Sequence, residues 1–123
     1  ARVCVPSLKT RGGGDFILIG SESALRGARR GTLYCTAKFG LRGFAQSLRA
    51  ECGQKNVRVC LINPGLVRTP FFEKQKFQPG PAAEHAIEPA DVADVVSATL
   101  SMRPGTVIDE INMTPLKHVL EFD

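Results

Sequence analysis

Two short apolar segments, separated by a long amphipathic stretch, constrain the fold of this chain most strongly. Residues 16–19 (Phe-Ile-Leu-Ile) and 57–62 (Val-Arg-Val-Cys-Leu-Ile) are almost continuously apolar, and each is followed closely by glycine. Segments of this length and composition are typical of strands buried on both faces of a sheet. We therefore expect two interior strands, the first preceded by a turn at Gly12, Gly13 and Gly14, since glycine tolerates the backbone angles of tight turns.

The segment between these strands has the periodicity of an amphipathic helix, predicted over residues 32–53. Its apolar side chains recur at intervals of three and four residues, which predicts one buried stripe. Gly40 and Gly43 weaken a helix and predict close packing against another backbone. The predicted stripe consists of Leu33, Ala37, Leu41, Phe44, Leu48 and Cys52.

The rest of the chain continues the alternation of strands and helices. Residues 71–86 have no periodicity and are expected to form a loop with at most a short helix. A second helix is predicted from about Pro89 to Pro104, and a third strand from residues 107–108 and 111–113. This order predicts an α/β fold with parallel strands and right-handed crossovers. A length of 123 residues fits one domain, residues 1–123.

Composition and residue spacing argue against several classes of protein. Hydrophobic residues make up 43% of the chain, but no apolar run approaches the roughly 20 residues of a spanning helix, so we expect no membrane partner. The four cysteines are scattered, without a zinc-binding spacing, and we expect no metal site. All four are predicted to be buried thiols of a cytoplasmic protein.

A basic cluster accompanies the net charge of +4. Arg26, Arg29 and Arg30 lie together, with Arg11 nearby in the sequence. No aromatic residues interleave to stack bases, so we expect no nucleic-acid partner. The cluster is either a solvated loop or a region that attracts an anionic cofactor or substrate.

Polar residues suited to chemistry occur at the ends of the predicted strands. The only tyrosine, Tyr34, precedes Lys38 by four residues, so the two side chains share one face of the predicted helix. Ser21 stands thirteen residues before Tyr34, at the carboxyl end of the first strand, where active sites of open α/β sheets form. The second strand ends in Asn63-Pro64-Gly65, and Thr69 follows. A Tyr-x-x-x-Lys pair alone is weak, but this combination is specific.

Together these features resemble the short-chain dehydrogenase/reductase family. Its classical members have a serine at a strand end, Tyr-x-x-x-Lys thirteen residues later, and a Pro-Gly-x-x-x-Thr loop after the next strand. Residues 88–93 and 110–115 are also similar to a late helix and a terminal strand of that family. The resemblance covers residues 12–115 and implies the C-terminal half of a Rossmann-like, doubly wound parallel sheet, with about three strands and flanking helices.

The resemblance implies an NAD(P)-dependent oxidoreductase that interconverts an alcohol and a carbonyl by hydride transfer. Tyr34 would be the general acid/base, and Lys38 would favour its phenolate and hold the nicotinamide ribose. Ser21 would hydrogen-bond the reacting oxygen, with Ser23 as a less well spaced alternative. The residues that would contact the cofactor are Tyr34, Lys38, Pro64, Gly65, Val67 and Thr69.

The chain lacks features that the family carries in the first half of its proteins. The Gly-x-x-x-Gly-x-Gly loop that meets the pyrophosphate is absent, as is any residue that would distinguish NAD from NADP. No asparagine precedes Asn56, although the family has a catalytic asparagine on the helix that precedes the first strand of this chain. We therefore expect the catalytic half of the enzyme, beginning inside a helix, without turnover by itself and with weak or no cofactor binding. The alternative is a non-catalytic interaction module built from a truncated dehydrogenase fold.

A half-sheet also predicts assembly. The first strand is expected to have an unpaired edge, and Phe39 and Ala45 add apolar surface to the long helix, so we expect a homo-oligomer. The expected ligand is a small-molecule alcohol or carbonyl substrate. Phe71, Phe72 and Phe77 either cover that substrate or anchor the loop.

Overall fold

The structure is a computed structural model that describes residues 1–122. These residues alternate between helices and strands in the order that the sequence predicts, with two short strands in addition. Short 3₁₀ turns connect several of them. The elements are α1 (Cys4–Thr10), β1 (Gly14–Ile19), α2 (Thr32–Cys52), β2 (Val57–Pro64), β3 (Phe77–Pro79), α3 (Pro89–Leu100), β4 (Glu110–Met113) and β5 (Leu120–Phe122).

The main sheet has three parallel strands in the order β1-β2-β4. β1 pairs with β2 along its whole length, with Gly14 opposite Val57 and Ile19 opposite Ile62. The positive φ angles of Gly12, Gly13 and Gly14 form the turn that leads from α1 into β1. The predicted α/β fold with parallel strands is confirmed.

β2 is the central strand and is buried on both faces. Val57, Val59 and Leu61 pack against α1 and α2 to form the main core. Cys60 lies between Val59 and Leu61, so its side chain is on the other face of the sheet, against Thr99 of α3. Burial raises the pKa of the Cys60 thiol, so this cysteine stays protonated at neutral pH. Helices therefore cover both faces of the sheet, as in doubly wound folds.

The cysteines and the buried stripe of α2 differ in part from the prediction. Cys35, Cys52 and Cys60 are buried, but Cys4 is exposed, so the prediction of four buried cysteines is wrong at Cys4. It lies at the start of α1 beside the open edge of β1, where the described chain has no covering element.

In α2, Leu33 and Phe44 of the predicted stripe are 88% and 42% exposed. The face that packs on the sheet is instead formed by Leu41, Ala45, Leu48 and Cys52, which follow one another at strict helical spacing. An ideal Cβ at Gly40 or Gly43 meets no atom within 4 Å, so the expected backbone packing is absent within residues 1–122.

The strand ends also differ from the prediction. β2 continues through Pro64, which lies opposite Met113. The amides of Leu61 and Gly65 donate to the carbonyls of Asp109 and Met113, so the nitrogen of Pro64 faces the other side of β2, beyond the end of β1. β4 begins at Glu110, so residues 107–108 are not part of it. In residues 71–86, predicted as a loop, β3 pairs antiparallel with β5. This pairing joins segments about 40 residues apart, so local composition could not reveal it.

Candidate active site

Ser21 follows β1 at the carboxyl edge of the sheet. The Gly20 amide still donates to the Ile62 carbonyl at 2.7 Å, which fixes the backbone just before Ser21. Ser21 is buried and caps the 3₁₀ turn Glu22–Ala24, where its Oγ accepts a hydrogen bond from the Ser23 amide at 3.2 Å. A hydroxyl has one proton in addition to its acceptor sites, so Ser21 can still donate.

Tyr34 and Lys38 lie on the first two turns of α2. Lys38 Nζ is 5.6 Å from the centroid of the Tyr34 ring, so the two side chains stack on one face as their spacing predicts. Tyr34 is 44% exposed, so the residue is partly open to solvent. The beginning of α2 is held by Cys35, whose amide donates to the Gly31 carbonyl at 2.7 Å.

The first turns of α2 and the turn after β1 belong to the same edge of the sheet. α2 packs against the turn Glu22–Ala24, which Ser21 caps. The Tyr34 ring also lies 6.5 Å from the ring of Phe71, which follows β2. Tyr34 is thereby positioned between the segments that leave β1 and β2.

Pro64 and Gly65 carry the chain out of β2 beside the Ser21 turn. The Gly65 amide donates to the Met113 carbonyl at 2.8 Å. A Cβ on Gly65 would lie 3.1 Å from Glu22 Oε2 and 3.3 Å from the Met113 carbonyl oxygen. Glycine therefore allows the loop to pass close to the turn that Ser21 caps.

Val67 forms a parallel bridge with Ile87, but not through its own amide. The Ile87 amide donates to the Leu66 carbonyl at 2.7 Å, and the Arg68 amide donates to the Ile87 carbonyl at 2.8 Å. The amide of Val67 therefore points away from Ile87. Thr69 Oγ1 lies 3.4 Å from the Val67 carbonyl oxygen, so both residues are on the segment that leaves the sheet edge.

Sequence reasoning missed a polar network beneath this edge. Asn63 is fully buried, and its Nδ2 donates to Glu110 Oε1 at 2.7 Å and to Asn112 Oδ1 at 3.0 Å. Glu110 also accepts two hydrogen bonds from Arg42 of α2, at 2.8 and 3.2 Å. Arg42 is one helical turn beyond Lys38, so the network ties the helix that carries Tyr34 to the sheet.

A second missed feature holds the segment after β2 in place. The Arg68 guanidinium donates to Glu88 Oε1 and to the carbonyls of Gly80 and Ala82, all at 3.0–3.2 Å. Lys117 bonds Glu84 through its backbone amide and its ammonium. The Glu84 backbone amide, and then Lys117, lower the pKa of Glu84.

Other features considered in the sequence contribute less to this arrangement. Arg11, Arg26, Arg29 and Arg30 are exposed. Arg26 approaches the turn that Ser21 caps, with its Nη2 3.9 Å from Glu22 Oε2. Within residues 1–122, no three His, Cys, Asp or Glu side chains gather as a metal site. The helices described are also too short or too polar to cross a membrane.

A parallel sheet with helices on both faces and polar side chains at the carboxyl ends of its strands defines an α/β protein, and it is at this edge that open α/β sheets bind their ligands. The sequence model of the family described as short chain dehydrogenase matches residues 1–79 of the chain. The chain therefore belongs to the short-chain dehydrogenase family of oxidoreductases.

Individual relatives resemble the chain over most of its length. An NADP-dependent 3-hydroxy acid dehydrogenase of Schizosaccharomyces pombe is 28% identical over 120 residues, covering 93% of this chain and 46% of that protein. A 3-alpha-(or 20-beta)-hydroxysteroid dehydrogenase of Mycobacterium tuberculosis is 36% identical over 98 residues, covering 77% and 37%. The crystal structure of serine dehydrogenase from Escherichia coli superposes with a TM-score of 0.75 at 27% identity, covering 91% and 44%. The chain thus spans less than half the length of these relatives.

Proposed function

We propose that this chain is the catalytic half of a nicotinamide-dependent oxidoreductase that interconverts an alcohol and a carbonyl. The observation that carries the proposal is the stacked pair of Tyr34 and Lys38, on the helix that packs against the turn capped by Ser21 at the carboxyl edge of a parallel sheet. The curated relatives named above are dehydrogenases, which supports the same class of reaction.

Tyr34 is the proposed general acid/base. Its hydroxyl gives a proton to the carbonyl oxygen in reduction and takes it from the alcohol in oxidation. The Lys38 ammonium, 5.6 Å from the ring centroid, favours the phenolate that proton transfer leaves behind. Ser21 donates its free proton to the reacting oxygen, where negative charge develops. Ser23 contributes the amide that orients Ser21.

The segment after β2 suits one end of a dinucleotide. We assign Pro64, Gly65, Val67 and Thr69 to the nicotinamide end, together with Tyr34 and Lys38. The outward amide of Val67 and the hydroxyl of Thr69 offer polar groups there. Bound NAD or NADP would supply the hydride chemistry, whereas this chain supplies orientation and the proton. Residues 1–122 contain no glycine-rich pyrophosphate loop, so we propose that the chain alone has no turnover.

The proposed function is tested in the active enzyme that contains this chain, by following the absorbance of the nicotinamide. Tyr34→Phe removes the transferable proton and is expected to lower kcat about a hundredfold or more, with cofactor affinity nearly unchanged. Lys38→Met is expected to lower kcat and to weaken cofactor binding, because the Lys38 ammonium is assigned to both proton transfer and the cofactor. Asp94→Ala, an exposed change on α3 outside the proposed site, is the control and should leave kcat unchanged. Near-normal turnover by Tyr34→Phe would exclude the assignment and favour the non-catalytic interaction module.

We further propose that residues 1–123 form one partial Rossmann-like domain that functions in the cytoplasm as a homo-oligomer. Four free thiols, three of them buried, support a reducing compartment. The open outer face of α2 and the outer edge of β1, which pairs with no other strand within residues 1–122, support association.

A further inference from the structure

The C-terminal segment, residues 114–122, leaves the end of β4 and is fastened to the segment that contains β3. β5 pairs antiparallel with β3. Just before this pairing, the Gly80 amide donates to the Val119 carbonyl at 3.0 Å, and the Lys117 amide donates to the Glu84 carbonyl at 2.9 Å. The C-terminal segment is therefore held on one side by backbone hydrogen bonds that do not involve the turn capped by Ser21.

A single ion pair joins the C-terminal segment to that turn. His118 Nε2 lies 3.5 Å from Glu22 Oε1, and Glu22 directly follows Ser21. Only 21% of the Glu22 side chain is exposed, compared with 42% of the His118 side chain. Within residues 1–122, no other ion pair or hydrogen bond links the C-terminal segment to the turn. The polar connection between them therefore depends on one histidine.

The charge of this pair changes near neutral pH through its histidine. An imidazole loses its proton between about pH 5 and pH 8, whereas a glutamate remains ionised over that range. The protonated side chain of His118 attracts the Glu22 carboxylate, and the neutral side chain does not. The attraction is thus present at the acid end of the range and is lost as the pH rises.

The other ion pairs around these two residues keep their charge. Arg26 Nη2 lies 3.9 Å from Glu22 Oε2, but this contact stays within one turn of the chain, and an arginine is always protonated. Lys117 Nζ lies 3.2 Å from Glu84 Oε1. The Glu84 backbone amide, and then Lys117, lower the pKa of Glu84, so this second pair persists across the same range. It holds the segment to β3 at every pH considered.

A second histidine lies near the C-terminal segment and has to be distinguished from His118 by experiment. His85 and Val119 both lie against Gly80. The Nδ1 of His85 is buried and has no hydrogen-bond partner among the described residues, so adding a proton there would place an unpaired charge in a buried position. Glu121 of β5 is exposed, and β3 contains no charged residue.

We propose that His118 is a positioning residue, whose protonated side chain holds the C-terminal segment against the turn that carries Ser21. At acid pH the pair fixes the turn and the segment to each other. As the pH rises the turn is released, while the pairing of β3 with β5 and the contact of Lys117 with Glu84 remain. The inference rests on the proposed function only for the role of Ser21, whose position beside the reacting oxygen would then depend on pH.

Hydrogen exchange of the chain, measured by mass spectrometry, reports on both sides of the pair. On the turn, the amides of Ala24 and Leu25 donate to the carbonyls of Ser21 and Glu22. On the other side, peptides that cover residues 117–122 report on the segment. Each rate is divided by the rate of an unstructured peptide at the same pH, which gives the protection. We expect protection on both sides to fall about two- to threefold between about pH 5.5 and about pH 8, as suits a partly exposed ion pair.

Substitutions that fix the charge of the pair test its cause. His118→Gln is uncharged at every pH and is expected to show low protection at both ends of the range. His118→Lys remains positive and is expected to keep, at about pH 8, the protection that the unaltered chain has at about pH 5.5. Glu22→Gln removes the partner and should abolish the pH dependence on both sides. Circular dichroism checks that each variant folds. Packing of the imidazole alone would instead give the two His118 variants the same protection.

His85→Gln is the matched control, because it removes the other histidine beside the segment. It is expected to leave the pH dependence in place, whatever its effect on the overall level of protection. A dependence that disappeared in this variant would assign the effect to His85 and contradict the role of His118.

Three further outcomes would overturn the inference. They are equal protection of the unaltered chain at both pH values, a pH dependence that survives in His118→Gln or Glu22→Gln, and equal protection of His118→Gln and His118→Lys at about pH 8. The readout does not require turnover. Normal turnover by Tyr34→Phe would contradict the proposed function and leave this inference standing, whereas any of the exchange results just named would contradict this inference and leave the role of Tyr34 untouched.

Discussion

Asn63 shows how much of the sheet edge depends on single buried atoms. Its Nδ2 has two acceptors, but its Oδ1 is buried and has no hydrogen-bond partner among the described residues. A buried amide with one unsatisfied atom costs free energy, so its position must be maintained by its surroundings. Gly20, the residue before Ser21, lies directly against Oδ1. The backbone beside Ser21 can approach Asn63 only because residue 20 has no side chain.

The residue-scale prediction concerns Gly20→Ala. The new Cβ would overlap Asn63 Oδ1 and lie 3.1 Å from Leu61 Cδ1, and Asn63 cannot move without breaking its bonds to Glu110 and Asn112. We expect a loss of about 1–3 kcal/mol in the free energy of unfolding, measured by urea denaturation. Gly27→Ala is the control, since its Cβ would meet no atom within 4 Å. Equal stability of the two variants would show that the sheet edge relaxes freely.

Sequence spacing identified the candidate catalytic residues better than it identified the residues that hold them in place. Ser21, Tyr34 and Lys38 could be proposed because a strand end and a helical repeat are local features of the sequence. The supporting contacts could not be proposed, because they join distant parts of the sequence. Arg42 bonds Glu110, which lies 68 residues away. Phe122 contacts Phe77, which belongs to a separate strand. The roles of the three candidates remain a prediction.

At the scale of elements, long periodic segments were predictable and short ones were not. α2 and α3 begin where the sequence indicates, because periodicity and the proline at the first position of α3 are strong local signals. β3 and β5 have three residues each and depend on each other for pairing. The segment after β2 is therefore ordered by tertiary contacts, including those of Arg68, rather than by its own composition.

The element-scale prediction concerns the beginning of α3. Glu88 and Asp91 form a capping box, in which the Asp91 carboxylate accepts a hydrogen bond from the Glu88 amide at 2.8 Å. Asp91→Ala leaves that amide without its partner, and we expect a loss of about 1 kcal/mol in the free energy of unfolding. Asp94→Ala, an exposed change one turn later on the same helix, is the control and should alter stability by less than about 0.5 kcal/mol. A similar loss in both variants would mean that charge, and not the cap, is responsible.

At the scale of the whole molecule, two surfaces of this half-sheet lack a covering element within residues 1–122. β1 is an edge strand with an open groove beside Phe16 and Ile17. The outer face of α2 exposes Phe39 and Phe44 by 43% and 42%, and space is open over the glycines between them. Small residues between exposed apolar ones allow two helices to approach closely, so α2 suits a second copy of itself.

The last prediction is that the chain forms a homo-oligomer at micromolar concentration, measured by light scattering. Leaving both surfaces in water would forfeit about 25 cal/mol for each Å² of apolar area, or about 2.5 kcal/mol for each 100 Å², which is comparable to the net stability of a small domain. Phe44→Glu adds a charge to the outer face of α2 and is expected to shift the protein towards the monomer. Ala98→Glu adds the same charge at an exposed position of α3, outside both open surfaces, and is the control. If Ile19→Lys at the edge of β1 dissociates the oligomer and Phe44→Glu does not, the copies associate through strand addition, because an edge lysine blocks that pairing. A cooperative monomer in the unaltered chain would contradict the assembly proposal altogether.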